Sequence, residues 1–292
     1  MSALIFGILS SAFIFILFRL FPKFGVDTFQ AIVFNYFTAC TCGFLLYGDQ
    51  FSPLALDHTE WIPFAVVTGI LFISLFLAMG ISAQKNGVAM TSVSVKMSMA
   101  LTVVMFILFY SETLSAFKVS GIILAVFGVL AMSWPSRNKT PGQEKTILWL
   151  LVFLFIGSGI LDFVLNYVQN YQQQHLPSSL FSAVSFGIAG FLGFLVLMAD
   201  ILRKKRSFQW KNVLAGICLG IPNYFSIYLL LLSYSTTGWT DSTVLAITNV
   251  SIVLLSAFIG FMVFKENFTR LKLAGLVGAI GAIVLLYVAS LR

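Results

Sequence analysis

Two ionisable residues sit where hydrocarbon is expected. Lys96 lies near the middle of the apolar stretch 88–109, within TSVSVKMSMALTVV, and Asp162 lies inside the stretch 147–169. A charged side chain at a bilayer centre costs about 2.5–3.5 kcal/mol on insertion scales, so such a group turns to protein or water and marks a functional site. The Lys96 ammonium suits a carboxylate or phosphate, or one half of an ion pair that locks two helices. Ser92, four residues earlier, shares its helical face. Around Asp162, the residues Ser158, Asn166, Gln169 and Gln173 recur at helical spacing, which places five polar side chains on one face. Lipid disfavours such a stripe. It therefore turns inward, as one wall of a hydrated pathway or as a set of interhelical hydrogen-bond partners. Pairing of Lys96 with Asp162 would relieve both desolvation penalties, and a substrate or proton that competes for the pair would couple binding to movement. Asn35 (with Thr28, Ala31, Thr38 and Cys42 on its face), Asn223 (after Pro222) and Asn249 are further candidates for substrate hydrogen bonding. Helix packing is the alternative for each.

Other chemistries lack their residues. No G-x-x-x-x-G-K-[ST] pattern is present, which argues against direct use of ATP. Cys40, Cys42 and Cys218 lie in apolar stretches, and His58 and His175 lie in separate loops, so no metal or cofactor is expected. Asp162 is the one carboxylate firmly inside a span, Asp241 being at a span edge, and no H-E-x-x-H or facing aspartate pair occurs, so the chain is not expected to be an enzyme. The net charge of +7 and the run RKKR at 203–206 read as loop charges that orient a membrane protein, not as a nucleic-acid footprint. The expected partners are a small-molecule substrate and the lipid bilayer, with the chain a monomer or homodimer.

The elements that position these residues follow from composition. Hydrophobic residues make up 59% of the 292 and charged ones 9%, against roughly 25% charged in soluble domains. A helical span needs about 20 apolar residues. Ten stretches qualify: 2–20, 28–47, 62–83, 88–109, 116–134, 147–169, 178–201, 211–233, 242–264 and 271–290. Lipid offers the backbone no hydrogen-bond partner, so the stretches are read as helices, and the alternating polarity of a barrel is missing. The first stretch lacks the basic leader of a cleaved signal peptide and is read as a retained span.

Charge sets the direction. Apart from Lys96, every lysine and arginine except Lys118 and Arg292 falls on one face of the ten-span arrangement. The positive-inside rule makes that face cytoplasmic and puts both termini outside, in a cell (plasma or inner) membrane. An internal repeat accompanies this. Residues 111–132 align without a gap to 265–286, matching Glu112 to Glu266, Lys118 to Lys272, Gly121 to Gly275 and Ala125 to Ala279. Both segments join the last two spans of a five-span half. Because five is odd, the halves enter the membrane in opposite directions, a plan common among secondary transporters. The expected fold is an all-α integral membrane protein of ten transmembrane helices in two inverted five-helix repeats, 1–134 and 147–292, with a cytoplasmic linker at 135–146. Ala274, Gly278 and Ala282, like Gly121 and Ala125, form small-residue faces that favour close packing within the monomer.

On these features the sequence resembles the drug/metabolite transporter superfamily, of the EamA type, over nearly the whole chain. The resemblance rests on two five-span halves and on the acidic turns Ser111-Glu112-Thr113-Leu114 and Lys265-Glu266-Asn267-Phe268, each followed by a glycine, Gly121 or Gly275. Ser111 and Lys265 stand where the family's turn has glycine. The resemblance implies alternating-access carriage of metabolites such as amino acids, with efflux among the directions open. A passive channel or a non-transporting membrane protein is the alternative. The first-span glutamate that small four-span relatives use for proton coupling has no counterpart here, so that mechanism is not carried over.

Overall fold

Leucine, isoleucine, phenylalanine and alanine in runs of about 20 satisfy their backbone polar groups only as helices, and helices are what form. The computed structural model describes residues 2–47, 60–110, 115–133, 143–171, 178–238, 241–266 and 269–290. Its helices are α1 (Ser2–Leu20), α2 (Thr28–Tyr47), α3 (Ile62–Lys85), α4 (Val88–Met97), α5 (Met99–Tyr110), α6 (Ala116–Ser133), α7 (Gln143–Tyr171), α8 (Ser178–Leu202), α9 (Trp210–Thr236), α10 (Asp241–Met262) and α11 (Arg270–Ser290), with a short 3-10 turn at Phe21–Phe24. No strand occurs among the described residues. All ten stretches expected from the sequence are helical. Eight are long and apolar enough to cross a membrane, and Ala116–Met132 and Ile247–Met262 are shorter apolar helices. Large apolar side chains such as Phe6, Trp149 and Val277 are exposed, as expected of helices whose outer surface meets lipid.

One expected span differs. The stretch 88–109 is two helices, α4 and α5, interrupted at Ser98. Ser98 keeps right-handed angles, with φ −53° and ψ −24°. Its hydroxyl lies 2.6 Å from Val95 O, and Ser98 O accepts both from Leu101 N–H at 2.9 Å, a tighter turn than the α-helix uses, and from Thr102 N–H at 3.1 Å. Serine hydroxyls that bond back to the preceding turn compete with the helical ladder in this way.

The helices divide into two compact units: Met1–Arg19, Ala78–Phe163 and Leu229–Arg292 form the first, and Leu20–Leu77 with Val164–Tyr228 the second. In the first unit α6 and α11 pack through small residues. A Cβ at Gly275 would lie 2.9 Å from Met132 N and 3.0 Å from Gly128 O. Gly275, Ala279 and Ala282 thus face α6, whereas Ala274 lines an open apolar groove of about 610 Å³ with Leu124, Phe127 and Arg270. The small-residue face is therefore turned by about one residue from the Ala274, Gly278, Ala282 line, although Gly278 still meets Phe127. The core around it also takes in Met90, Val93 and Met97 of α4 and Val253 and Ala257 of α10.

In the second unit α2 is gripped by α8 and α9. A Cβ at Gly216 would lie 2.5 Å from Phe34 Cβ, and one at Gly220 would lie 2.6 Å from Asn35 O. The Tyr36 hydroxyl, fully buried, donates to Phe72 O at 2.6 Å and joins α2 to α3. At the start of α2, Asp27 Oδ1 accepts from the amides of Phe29 (2.9 Å) and Gln30 (3.1 Å), an N-cap. The same carboxylate pairs with Arg206 at 2.6 Å, and Arg206 also reaches Asp200 at 3.0 Å and stacks over the Phe29 ring. Burial pulls the Arg206 guanidinium down, but the two carboxylates outweigh it and hold the group above its ordinary value. Asn212 completes the junction: its Oδ1 accepts Asp27 N–H, and its Nδ2 donates to Gln30 Oε1. Arg203, Lys204 and Lys205 are exposed, so the RKKR run has one structural member beside its loop charges. Asp27→Ala is expected to lower stability by about 1–2 kcal/mol through loss of the cap. Asp27→Asn, which keeps an acceptor, is expected to cost less. Thermal unfolding in detergent checks both.

Candidate functional site

α4, α5, α7 and α10 carry the polar groups of the first unit. Lys96 is half-buried in the last turn of α4. Asp162 is on α7 and is exposed despite its place in the middle of an apolar helix. The two charges act on one another. Yet among the described residues the ion pairs within 4.0 Å are those of Arg206, so Lys96 and Asp162 act on one another without direct contact. Ser98 Oγ lies 3.3 Å from Asp162 Oδ2 and 2.6 Å from Val95 O. A hydroxyl has a single proton, so Ser98 donates to the carboxylate or to its own helix, not to both. One turn on, Thr102 Oγ1 lies 3.2 Å from Gly159 O and 3.3 Å from Ser98 O, and Gly159 admits Leu101 of α5 against α7. Asn249 of α10 is buried, with Nδ2 3.8 Å from Met99 Sδ, one residue beyond Ser98.

Lys96, Asp162, Ser158 and Asn249 all belong to the first unit. Ser92 is in the same unit but fully buried, with its hydroxyl donated to Ala89 O. Asn35, Asn166, Gln169 and Asn223 belong to the second unit. Asn35 is fully buried and neither side-chain atom has a hydrogen-bond partner; the Nδ2 of Asn223 also lacks one. Pro222, beside it, supplies no N–H to the carbonyl four residues back, yet α9 runs through it unbroken. The side chain of Gln169, together with Gln173, His58, His175 and Glu112, lies outside the described residues. Ser98 and Thr102 were not singled out from the sequence. Their signal is the four-residue recurrence Ser94, Ser98, Thr102 in the apolar stretch 88–109 that holds Lys96.

A second cluster lies at one end of the first unit. Glu266, in the turn between α10 and α11, accepts hydrogen bonds from Val88 N (2.6 Å) and Ala89 N (3.4 Å), the first amides of α4. Arg19 donates to the carbonyls of Ala83 and Gln84 at the end of α3. Burial raises the Glu266 carboxyl above its ordinary value; the amides of Val88 and Ala89 and the charges of Arg19 and Lys272 oppose this without cancelling it. A carboxyl whose folded value is raised contributes stability fully present below the ordinary value of 4.5 and lost as pH rises through the folded value. Measured against Glu266→Gln, wild-type melting is therefore expected to fall as pH climbs from about 4 into the neutral range.

The preceding residue explains the turn. Lys265 adopts φ 52°, a left-handed conformation that costs a side chain about 1–2 kcal/mol and glycine little. Lys265→Gly is expected to stabilise the protein by about 0.5–1 kcal/mol once the chain entropy of glycine is set against that strain, as denaturant titration would read.

The chain has relatives. It is 29% identical over 296 residues to an uncharacterized protein of Haemophilus influenzae, covering 98% of each. It is 27% identical over 161 residues to Crt homolog 2 of Dictyostelium discoideum, covering 53% of this chain and 32% of that protein. No family model matches. A protein solved by crystallography superposes with a TM-score of 0.60 at 12% identity, over 100% of this chain and 99% of that one. That likeness extends to the whole fold and to the fold alone. The chain is a multi-helix membrane-type protein, weakly similar to a Crt homolog.

Proposed function

We propose that the protein is a secondary carrier that moves small metabolites, amino acids or similar compounds, across a cell membrane by alternating access. In this reading it is an EamA-type member of the drug/metabolite transporter superfamily. Its ten helices form two inverted five-helix repeats with both termini outside the cell, and export is one direction open to it. The observation that carries the reading is the Lys96–Asp162 pair: two opposite charges in apolar helices, electrostatically coupled and not in direct contact. A purely structural pair would gain most by closing into a hydrogen-bonded contact, because desolvation is repaid only with good geometry. An open pair leaves room for a ligand that presents its own charge to either group. The partial similarity to Crt homolog 2 and the paired acidic turns add support.

The test starts with a thermal-shift screen of purified protein against amino acids, nucleosides, sugars and organic cations. Ligands that stabilise it then go into proteoliposomes. Saturable uptake accelerated by substrate on the far side is expected. Uptake that never saturates, or single-channel currents, would replace the carrier with a pore. No stabilising ligand and no uptake of any would remove the transport reading.

A further inference from the structure

Helix α4 is short, and its first turn lacks a cap of its own. Its N-cap residue is Gly87, at φ 101°, with no side chain to accept the orphan amides. Those amides are instead taken by Glu266, which is 178 residues away along the chain from Val88. Two glycines make room for it: a Cβ at Gly87 would lie 2.6 Å from the carboxylate, and one at Gly260 would lie 2.7 Å from Oε2. The turn itself is held by Glu266 N–H donating to Gly260 O at 2.9 Å. A carboxylate at a helix N-terminus also meets the positive end of the helix dipole. Almost every residue of α4 is buried, and at its far end, after Lys96 and Met97, the ladder is interrupted at Ser98. A helix advances about 1.5 Å per residue, so a grip on Val88 fixes the position of Lys96 roughly 12 Å further on.

We propose that Glu266 is a positioning residue for Lys96: it caps α4 from the α10–α11 turn, and its grip sets how far Lys96 is presented beside Asp162. This rests on the carrier reading for its purpose but not for its measurement. α4 is capped at one end by Glu266 and continues at the other into α5 through the turn at Ser98, so a change in the cap is passed along α4 toward Lys96. Arg19 holds the end of α3 just before the Gly87 turn, and the Thr91 hydroxyl of α4 lies 2.7 Å from that of Ser82 in α3, so loss of Glu266 removes one of two polar holds on the first turn of α4.

The experiment uses the full chain with Cys40, Cys42 and Cys218 changed to serine and Lys96→Cys introduced, alkylated by a soluble cationic thiosulfonate. Glu266→Ala is expected to change the rate of alkylation at position 96 by about tenfold, within the range of losing a helix cap. Glu266→Gln keeps an acceptor oxygen and is expected to restore most of the original rate. Gly87→Ala, which drives the carboxylate off, is expected to behave like Glu266→Ala. A parallel protein with Lys205→Cys in place of Lys96→Cys, in an exposed loop of the second unit, is expected to react unchanged. Rates at position 96 that stay within twofold while melting falls would reduce Glu266 to a stability residue and overturn the proposal. An equal change at position 205 would mean general loosening, and would overturn it too. Because alkylation needs no transport, absent counterflow in the wild type sinks the carrier reading and leaves this result standing by itself.

Discussion

Asp162→Asn and Lys96→Ala are each expected to lower counterflow in proteoliposomes by about 10- to 100-fold, the equivalent of one charge-assisted hydrogen bond of roughly 1.5–3 kcal/mol. Asparagine retains the shape of Asp162 and an acceptor for Ser98, so a loss there isolates the charge. Each single change also strands the opposite charge in an apolar helix, a cost that the intact pair avoids. The double variant is therefore expected to be less impaired, and better folded, than the product of the two singles, which a double-mutant cycle measures. Ser98→Ala is expected to have a smaller effect of the same sign, since it removes a hydroxyl that lies 3.3 Å from the carboxylate. Wild-type rates in both charge variants at equal expression would end the assignment of this pair to substrate.

Gly216→Leu with Gly220→Leu is expected to leave little folded protein. The nearest atoms to the new Cβ positions include the backbone oxygens of Ala31, at 2.7 Å, and Asn35, at 2.6 Å. Backbone cannot swing aside as a side chain does, so α9 must withdraw from α2. Overpacking of this kind costs about 1–3 kcal/mol per site, and the two sites lie one turn apart on the same seam, so their effects concern the same contact. Alanine at either position alone is expected to lower stability measurably while still permitting folding. Gly278→Ala is the control, because its nearest neighbours are the side chains of Phe127 and Leu124. It is expected to change the melting temperature little. Recovery of monodisperse protein from gel filtration and its thermal midpoint read the series. A normal yield of the double leucine variant would contradict the packing of α2 on α9.

How much of this could be read from the chain alone differs between features. The membrane-type helices were legible because apolar run length is a local property: about 20 residues without charge have one way to satisfy their backbone in lipid. Lys96 and Asp162 were legible for a related reason, since an ionisable group in such a run stands out without knowledge of its partner. The break at Ser98 was not, because serine at that spacing is equally at home in an unbroken helix. The face of α11 was placed one residue from where it packs, since Ala274 and Gly275 are both small and a step of one residue turns a helix by about 100°. Whichever of them meets α6 is settled by that helix's Gly128 and Met132.

The long-range roles belonged wholly to the tertiary structure. Arg206 reads as one more positive loop charge until Asp27 and Asp200 are beside it. Glu266 reads as part of an acidic turn until the amides of Val88 and Ala89 reach it. The sequence by itself determined which segments enter the membrane and which polar groups they must shelter, because those follow from the solvent each segment prefers. Only the packed chain decided which helix each charge serves, because a cap or an ion pair needs its partners within about 3 Å, and residues far apart along the chain come that close only through the packing of everything between them.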